Sequence, residues 1–441
     1  MKITLCKTAL SLVLILFSSY LLQAQTEPKP IGETEKKEVI DSIQKLLKDN
    51  YVFPEVAEKM NALLSKKLQE GQYKNINAPF EFAQQLTSDL QSISNDKHLR
   101  VGFNPEMIAD MRAHEGQEGD PEEWIENMRQ QNFGFKEVKL LEGNIGYLDL
   151  RGFHDAAHGG ETAVAAMNFL ANAKALIIDL RNNGGGSPSM IQLITSYLYG
   201  PEPVHLNNFY WRPSNENTQT WTLPHVPGKR RPDMEVYVLT SNRTFSAAEE
   251  FSYNLKNLER ATLIGETTGG GAHPGGTRIA TDRFTVWVPM GRAINPVTNT
   301  NWEGTGVSPH IEVLADEALT VAHIKALEKL MEKAESPLEK ERLQWYVLPL
   351  QVQSKPVELT DEILRSYAGK YGPRTLTFAD NKLYYQRDDS PKRALIALAE
   401  DLFMLEDVPY FRLKIMREEG KVVGLEGLYE NGHRDRNMKD Q

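Results

Sequence analysis

The sequence predicts an α/β core flanked by an N-terminal helical domain and a C-terminal antiparallel β domain. Three observations carry that prediction. Apolar residues recur at helical spacing between Glu35 and Asn95, strand-like apolar runs alternate with a helix between Ile145 and Thr240, and short strands separated by turn residues fill the chain beyond Pro356. The 441 residues suffice for two or three domains with a large buried interior.

In the first segment the recurring residues are Val39, Ile43 and Leu46, then Val56, Met60 and Leu63, then Phe82, Leu86 and Leu90. Three amphipathic helices fit them, with Pro54 and the 75–79 stretch as breaks, giving a helical domain over residues 28–103. An acidic, Met-rich piece without periodicity, 104–134, reads as a linker. The α/β domain spans 135–315, with strands at Ile145–Leu150, Ala175–Leu180 and Glu235–Thr240 and a helix at Glu161–Ala173. Such alternation implies a mainly parallel sheet, whose sites gather at the carboxyl ends of its strands. Residues 316–352 form a helical connector, and 356–441 a β domain whose strands include 374–378, 382–387, 411–417 and 421–429.

Composition excludes several classes. Apolar content of 40% and charged content of 25% are globular values. A net charge of -10, with no run of Lys and Arg, argues against nucleic acid as a partner. Lys2 and Lys7, the apolar run 9–22 and Ala24 form an export signal over residues 1–24. The alternative, a membrane anchor, is opposed by a run shorter than the ~20 residues a span needs. A periplasmic or secreted protein is therefore expected, with no stable membrane insertion once the signal is removed. The single cysteine, Cys6, leaves with the signal, so the mature chain has no disulfide or thiol chemistry.

Candidate chemistry lies at three strand ends. The segment from Thr240 to Glu250 leaves a strand and opens a helix with Ser246 at its head. A serine there projects from a sharp turn, next to free helix-start amides that can stabilise an oxyanion. The competing reading is a helix cap, with Glu249 completing a capping box. Asp179-Leu180-Arg181-Asn182-Asn183-Gly184-Gly185-Gly186 leaves a second strand, and its glycines let a substrate backbone approach. A phosphate cradle is the rival, but no lysine follows and the dinucleotide spacing fails. Gly265 to Gly271 forms a second glycine-rich turn, in which Gly269 and Gly270, like Gly186 in the first, are candidate substrate contacts.

Together these segments resemble the tail-specific (C-terminal processing) serine peptidase family, whose relatives include the tricorn core protease and interphotoreceptor retinoid-binding protein. The family's DLR-x-N-x-GG turn, nucleophilic serine, GE-x-T-x-GG turn and closing G-V-x-P segment occur here in order, the last as Gly306-Val307-Ser308-Pro309. The resemblance implies a crotonase-like (ClpP-like) catalytic core and hydrolysis of peptide bonds through Ser246. One branch of the family carries a lysine base in the second glycine turn, where this chain has Gly271. The resemblance is therefore to the tricorn and retinoid-binding branch, which implies His98 as general base, Glu303 as its orienting group, and Gly185 and Ala247 N–H groups as the oxyanion hole, with Gly186 as the nearest substitute. Lys97 stands where that branch commonly has a serine that joins the relay.

No cofactor and no metal are implied, and the partner is a peptide or protein substrate. His154 and His158 have a helical metal-ligand spacing, but Gly159-Gly160 follow and no acidic ligand motif accompanies them. Phe209, Tyr210, Trp211 and Trp221 lie in a long connection, 200–233, readable as a lid or as packing. The alternative to a peptidase is a non-catalytic binding protein for a peptide or hydrophobic ligand on the same fold. The C-terminal domain resembles small lipocalin-like barrels, an appended module with no catalytic motif.

Overall fold

The computed structural model describes residues 28–114, 116 and 121–440, so the expected export signal and Cys6 lie outside the described residues. Helices α1 (Glu33–Asn50), α2 (Pro54–Gln69) and α3 (Pro79–Ser94) form the N-terminal bundle. Proline opens both α2 and α3, where a missing N–H costs nothing, and Asn95 in the left-handed conformation at φ 55 ends α3. Val39, Ile43, Met60, Phe82, Leu86 and Leu90 are buried, as the helical spacing requires. The stretch read as a linker carries two helices, α4 (Pro105–Ala113) and α5 (Glu122–Gln130), in addition to strand β1 (Arg100–Phe103) before it. A proline at N1 and the Asn104 side chain, which accepts from Met107 N–H, start α4 with little apolar periodicity.

The α/β domain follows as β2 (Phe135–Leu141), β3 (Ile145–Leu150), α6 (Ala156–Phe169), β4 (Ala175–Asp179), α7 (Pro188–Ser196), β5 (His205–Trp211), β6 (Glu216–Trp221), β7 (Glu235–Thr240), α8 (Ala247–Asn257), β8 (Thr262–Gly265), β9 (Gly275–Ile279), β10 (Phe284–Pro289), β11 (Gly291–Ile294) and β12 (Ile311–Glu312). Its main sheet has the order β12-β8-β7-β4-β3-β2 and is parallel except for the β2–β3 pair. Strand alternation sends Leu148, Leu150, Leu176, Ile178, Val236 and Val238 to the face covered by α6, α7 and α8. Ile145, Tyr147, Ile177, Tyr237 and Leu239 point to the other face, beneath α9 (Ala318–Lys333) and α10 (Pro337–Ser354). Burial on both faces explains why these strands read as continuous apolar runs.

The helical bundle is not packed on itself alone. Strand β1 pairs with β10, about 180 residues later, and Phe284, Val286 and Val288 of β10 complete the core formed by α1, α2 and α3. Arg212 clamps the two parts together by donating to the carbonyls of Tyr51 (2.6 Å) and Lys48 (2.7 Å). The connection containing the aromatic cluster is a β-hairpin, β5–β6, extended by β11 into a three-stranded sheet. Its strands are rich in Asn, Thr and Gln, which hides their pairing from apolar periodicity.

After α11 (Asp361–Tyr367), eight antiparallel strands run as a meander: β13 (Gly369–Tyr371), β14 (Arg374–Ala379), β15 (Lys382–Arg387), β16 (Arg393–Ala399), β17 (Leu402–Leu405), β18 (Val408–Glu418), β19 (Lys421–Tyr429) and β20 (Arg434–Met438). Asp440 N–H donates to Lys370 O at 2.9 Å, which brings the last strand back to the first and makes the sheet a near-barrel. Its core of Tyr367, Leu376, Phe403, Leu413 and Leu425 is separate from the others.

Candidate active site

The site forms where the ends of β4, β7 and β8 meet the loop between α3 and β1. Ser246 is the residue before α8 and sits at φ 55, ψ -122, outside the regions L-residues favour. A helix cap needs only ordinary extended backbone, so capping alone does not account for a conformation that costs ~1–3 kcal/mol. The turn is held by its neighbours: Thr244 Oγ1 donates to Leu180 O (2.8 Å), Ser241 Oγ to Arg181 O (2.6 Å), and Phe245 N–H to Asn183 O (3.0 Å).

Those contacts join Ser246 to the first glycine turn. Tyr147 and Arg181 both donate to Asp179, Arg181 through two nitrogens at 2.9 and 2.6 Å. Burial opposes ionisation of Asp179, yet Arg181 and Tyr147 hold its carboxyl below the usual range. Asn183, fully buried, donates to Leu150 O and accepts from Gly185 N–H, both at 2.9 Å. Gly185 stands at φ 112, and a Cβ there would lie 2.8 Å from Ser246 Cβ and 3.0 Å from Ala247 N, so only glycine fits. The Gly185 amide is thus engaged by a side chain. Among the described residues the Gly186 and Ala247 amides make no hydrogen bond.

Glu249 ties Ser246 to the second glycine turn. Its fully buried carboxylate accepts from Ser246 N–H (2.9 Å), Thr268 Oγ1 (2.5 Å), Gly270 N–H (2.6 Å) and Gly271 N–H (2.8 Å). Burial pushes its pKa up, and these four donors oppose the rise. The capping-box residue foreseen from sequence is therefore also the clasp between two loops. Lys97 donates to Gly269 O at 2.5 Å from the exposed side. The closing segment pairs back on the same turn: Gly304 N–H to Gly270 O (3.0 Å), Val307 N–H to Thr268 Oγ1 (2.7 Å) and Trp302 Nε1 to Gly271 O (2.7 Å). This pairing delivers Glu303.

His98 follows the end of α3, oriented by its own N–H donating to Asp96 Oδ1 at 3.0 Å. Its ring packs on Phe245, the residue before Ser246, with centroids 4.6 Å apart, and its side chain is only 10% exposed. Burial pushes the imidazole down to about 4 against the pull of Asp96, while His273 and Arg100 push the same way as burial. Behind it, Glu303 accepts from Ala272 N–H at 2.5 Å. Burial, reinforced by Asp96, raises Glu303 to about 7, and His273 and the Ala272 amide oppose the rise. His98 Nδ1 and Glu303 Oε1 are both buried without a partner.

Two residues that sequence reasoning did not assign complete the cluster. His273 Nδ1 lies 2.7 Å from Asp96 Oδ2 and 3.4 Å from Glu303 Oε2, and its ring meets Phe53 edge-on at 5.3 Å. Asp96 also accepts from the Tyr51 hydroxyl at 3.5 Å. Asp96 adjoins His98 in sequence, which was a signal for it, and His273 closely follows the second glycine turn. One ligand atom each of Asp96, His98 and Glu303 lie within 4.8 Å of one another, a donor set able to coordinate a divalent cation. The other spaced pair differs: His154 lies before the start of α6 while His158 lies within it, so they do not share a helix face.

The family model described as "Peptidase family S41" matches residues 144–313, and "N-terminal domain of Peptidase_S41 in eukaryotic IRBP" matches residues 33–132. Among solved structures, mature CPAF is 15% identical, with 68% of this chain and 99% of that one covered and a TM-score of 0.47. The photosystem II D1 C-terminal processing protease is 14% identical (65% and 94% covered, TM-score 0.39), and a putative peptidase from Parabacteroides merdae is 18% identical (63% and 90%, TM-score 0.42). The chain thus carries a peptidase family S41 domain preceded by that family's N-terminal domain, and is a serine-type peptidase.

Proposed function

We propose that the chain hydrolyses peptide bonds through an acyl-enzyme on Ser246, with His98 as general base and Glu303 as its orienting group. The observation that carries this reading is the strained Ser246 turn lying beside a buried imidazole, His98, whose ring packs at a tilt against Phe245. Ser246 Oγ attacks the scissile carbonyl and passes its proton to His98 Nε2. The imidazolium then protonates the departing amine, and water repeats the sequence to release the acid. A proton on His98 Nδ1, turned toward Asp96 Oδ1 at 3.9 Å, selects the tautomer in which Nε2 is free to accept.

For the oxyanion, the amide of Ala247 at the start of α8 pairs best with Gly186, because Gly185 N–H is already donated to Asn183. Gly269 and Gly270, the other candidate substrate contacts, already hydrogen-bond through both backbone groups, to Thr244, Lys97, Glu249 and Gly304. We also infer export, from the charged start and apolar run at residues 1–24. Labelling by a fluorophosphonate probe tests the nucleophile: the parent chain is labelled at Ser246, the Ser246→Ala chain is not, and equal labelling of both removes Ser246 from the mechanism.

A further inference from the structure

A second cleft lies between α10 and the C-terminal near-barrel, outside the catalytic loops. It has a volume of about 720 Å³, within the ~300–1,000 Å³ range of ligand sites. Its lips carry two of the molecule's exposed large apolar side chains, Leu338 at 71% and Tyr410 at 58% exposure. Trp345 and Tyr429 form walls. The floor holds Arg412, only 4% exposed, whose guanidinium lies 3.9 Å from the Trp345 ring centroid and donates to the Trp345 carbonyl.

The charges in this cleft do not balance. Its lining holds three arginines, Arg342, Arg412 and Arg434, against two glutamates, Glu341 and Glu430. Arg434 pairs with Glu341 at 2.7 Å and Arg342 approaches Glu430 at 3.8 Å, while Tyr346 also donates to Glu430. Among the described residues no carboxylate forms an ion pair with Arg412, and burial lowers its pKa to about 10 against the pull of Glu430. A desolvated guanidinium without a directly paired anion is costly, and a planar carboxylate is the group its fork matches. The stacked tryptophan and the two tyrosines offer flat apolar surface beside that charge.

We propose that this cleft is a second peptide-binding site, taking an extended segment in which an acidic side chain meets Arg412 and an adjacent apolar side chain lies against Trp345 and Tyr410. A peptide is the occupant because the chain is a peptidase, and the site would hold a part of the substrate remote from the scissile bond. The site thereby favours acidic-apolar segments although the whole chain is itself acidic, at a net charge of -10.

The test uses the full chain carrying Ser246→Ala, so that no turnover intervenes, and fluorescence anisotropy of two labelled peptides with both ends blocked. One contains Leu-Glu-Phe and the other Leu-Gln-Phe. Saturable binding of the first, at least tenfold weaker binding of the second, and at least a tenfold loss in Arg412→Met are expected. Because Arg412→Met removes a contact between α10 and the near-barrel, Tyr410→Asp serves as a second variant: it sits at the exposed lip, sets a like charge beside the incoming carboxylate, and should give a similar loss with an unchanged circular dichroism spectrum. Equal affinity for both peptides, binding retained in both variants, or no saturation by the acidic peptide at millimolar concentration overturns the proposal. Serine labelling of the parent chain reports on the catalytic reading separately.

Discussion

Gly271 and His98 occupy space that only one side chain can fill. A Cβ on Gly271 would lie 2.7 Å from Cε1 of His98 and 2.3 Å from Cζ of Phe245. The glycine turn thus has no room for a lysine while the histidine ring is in place. On the proposed assignment of His98 as base, a lysine at this position is excluded for a steric reason, because Phe245 and His98 together fill the space over Gly271.

Gly271→Ala should therefore reduce turnover by about a hundredfold or more by displacing His98, since base catalysis contributes roughly 10²–10⁴-fold. Overpacking should also destabilise the fold by ~1–3 kcal/mol. Steady-state kinetics and urea unfolding measure the two effects; a variant as fast as the parent would show that the His98 position is not critical.

Ser246→Gly should be inactive yet more stable than Ser246→Ala by roughly 1 kcal/mol or more, because glycine adopts φ 55, ψ -122 without the steric conflict of a Cβ. Parallel denaturant titrations of the two variants decide it. Equal midpoints would mean that the turn stores no strain.

The pH profile should show an ascending limb near 7, set by ionisation of Glu303, because His98, titrating at about 4, is already neutral there. The groups facing Glu303 then move the limb in opposite directions. Asp96 raises its pKa and His273 lowers it, so Asp96→Asn should shift the limb to lower pH and His273→Ala to higher pH, each by about one unit. Profiles of kcat/KM for the three proteins read this directly, and shifts in the same direction would reject the assignment.

A chain ending after Ser354 should keep its fluorophosphonate labelling at Ser246, because the near-barrel core draws on residues 359–429 and shares none with the main sheet. It should lose stability by a few kcal/mol at most, since the contacts it gives up include Trp345 Nε1 to Pro409 O at 2.9 Å, the Arg412 contact, the Tyr346 and Arg342 contacts to Glu430 and the Arg434–Glu341 pair. Absence of labelling in a soluble truncated chain would make the near-barrel part of the catalytic unit.

Periodicity made the parallel strands legible: β3 and β7 begin and end where their apolar runs do, because strands buried on both faces carry an unbroken signal. Helix faces were legible to within a residue. Leu47 and Leu64 are fully buried where Leu46 and Leu63 were chosen, since a 3.6-residue period lets either neighbour face the core. The β5–β6 hairpin was missed because paired Asn, Thr and Gln leave no apolar trace, and β1 because four residues acquire meaning only when β10 pairs with them.

The sequence by itself marked the candidate catalytic loops, because glycine runs at strand ends and a serine opening a helix are local signals written in residue type. Only the tertiary structure decided what surrounds them. It set Asp96 and His273 behind Glu303, engaged Gly185 N–H with Asn183, made Glu249 a four-donor clasp and filled the space over Gly271 with His98. These are contacts between segments up to about 180 residues apart, and distance along the chain carries no record of which side chains the packed core will bring within hydrogen-bonding reach.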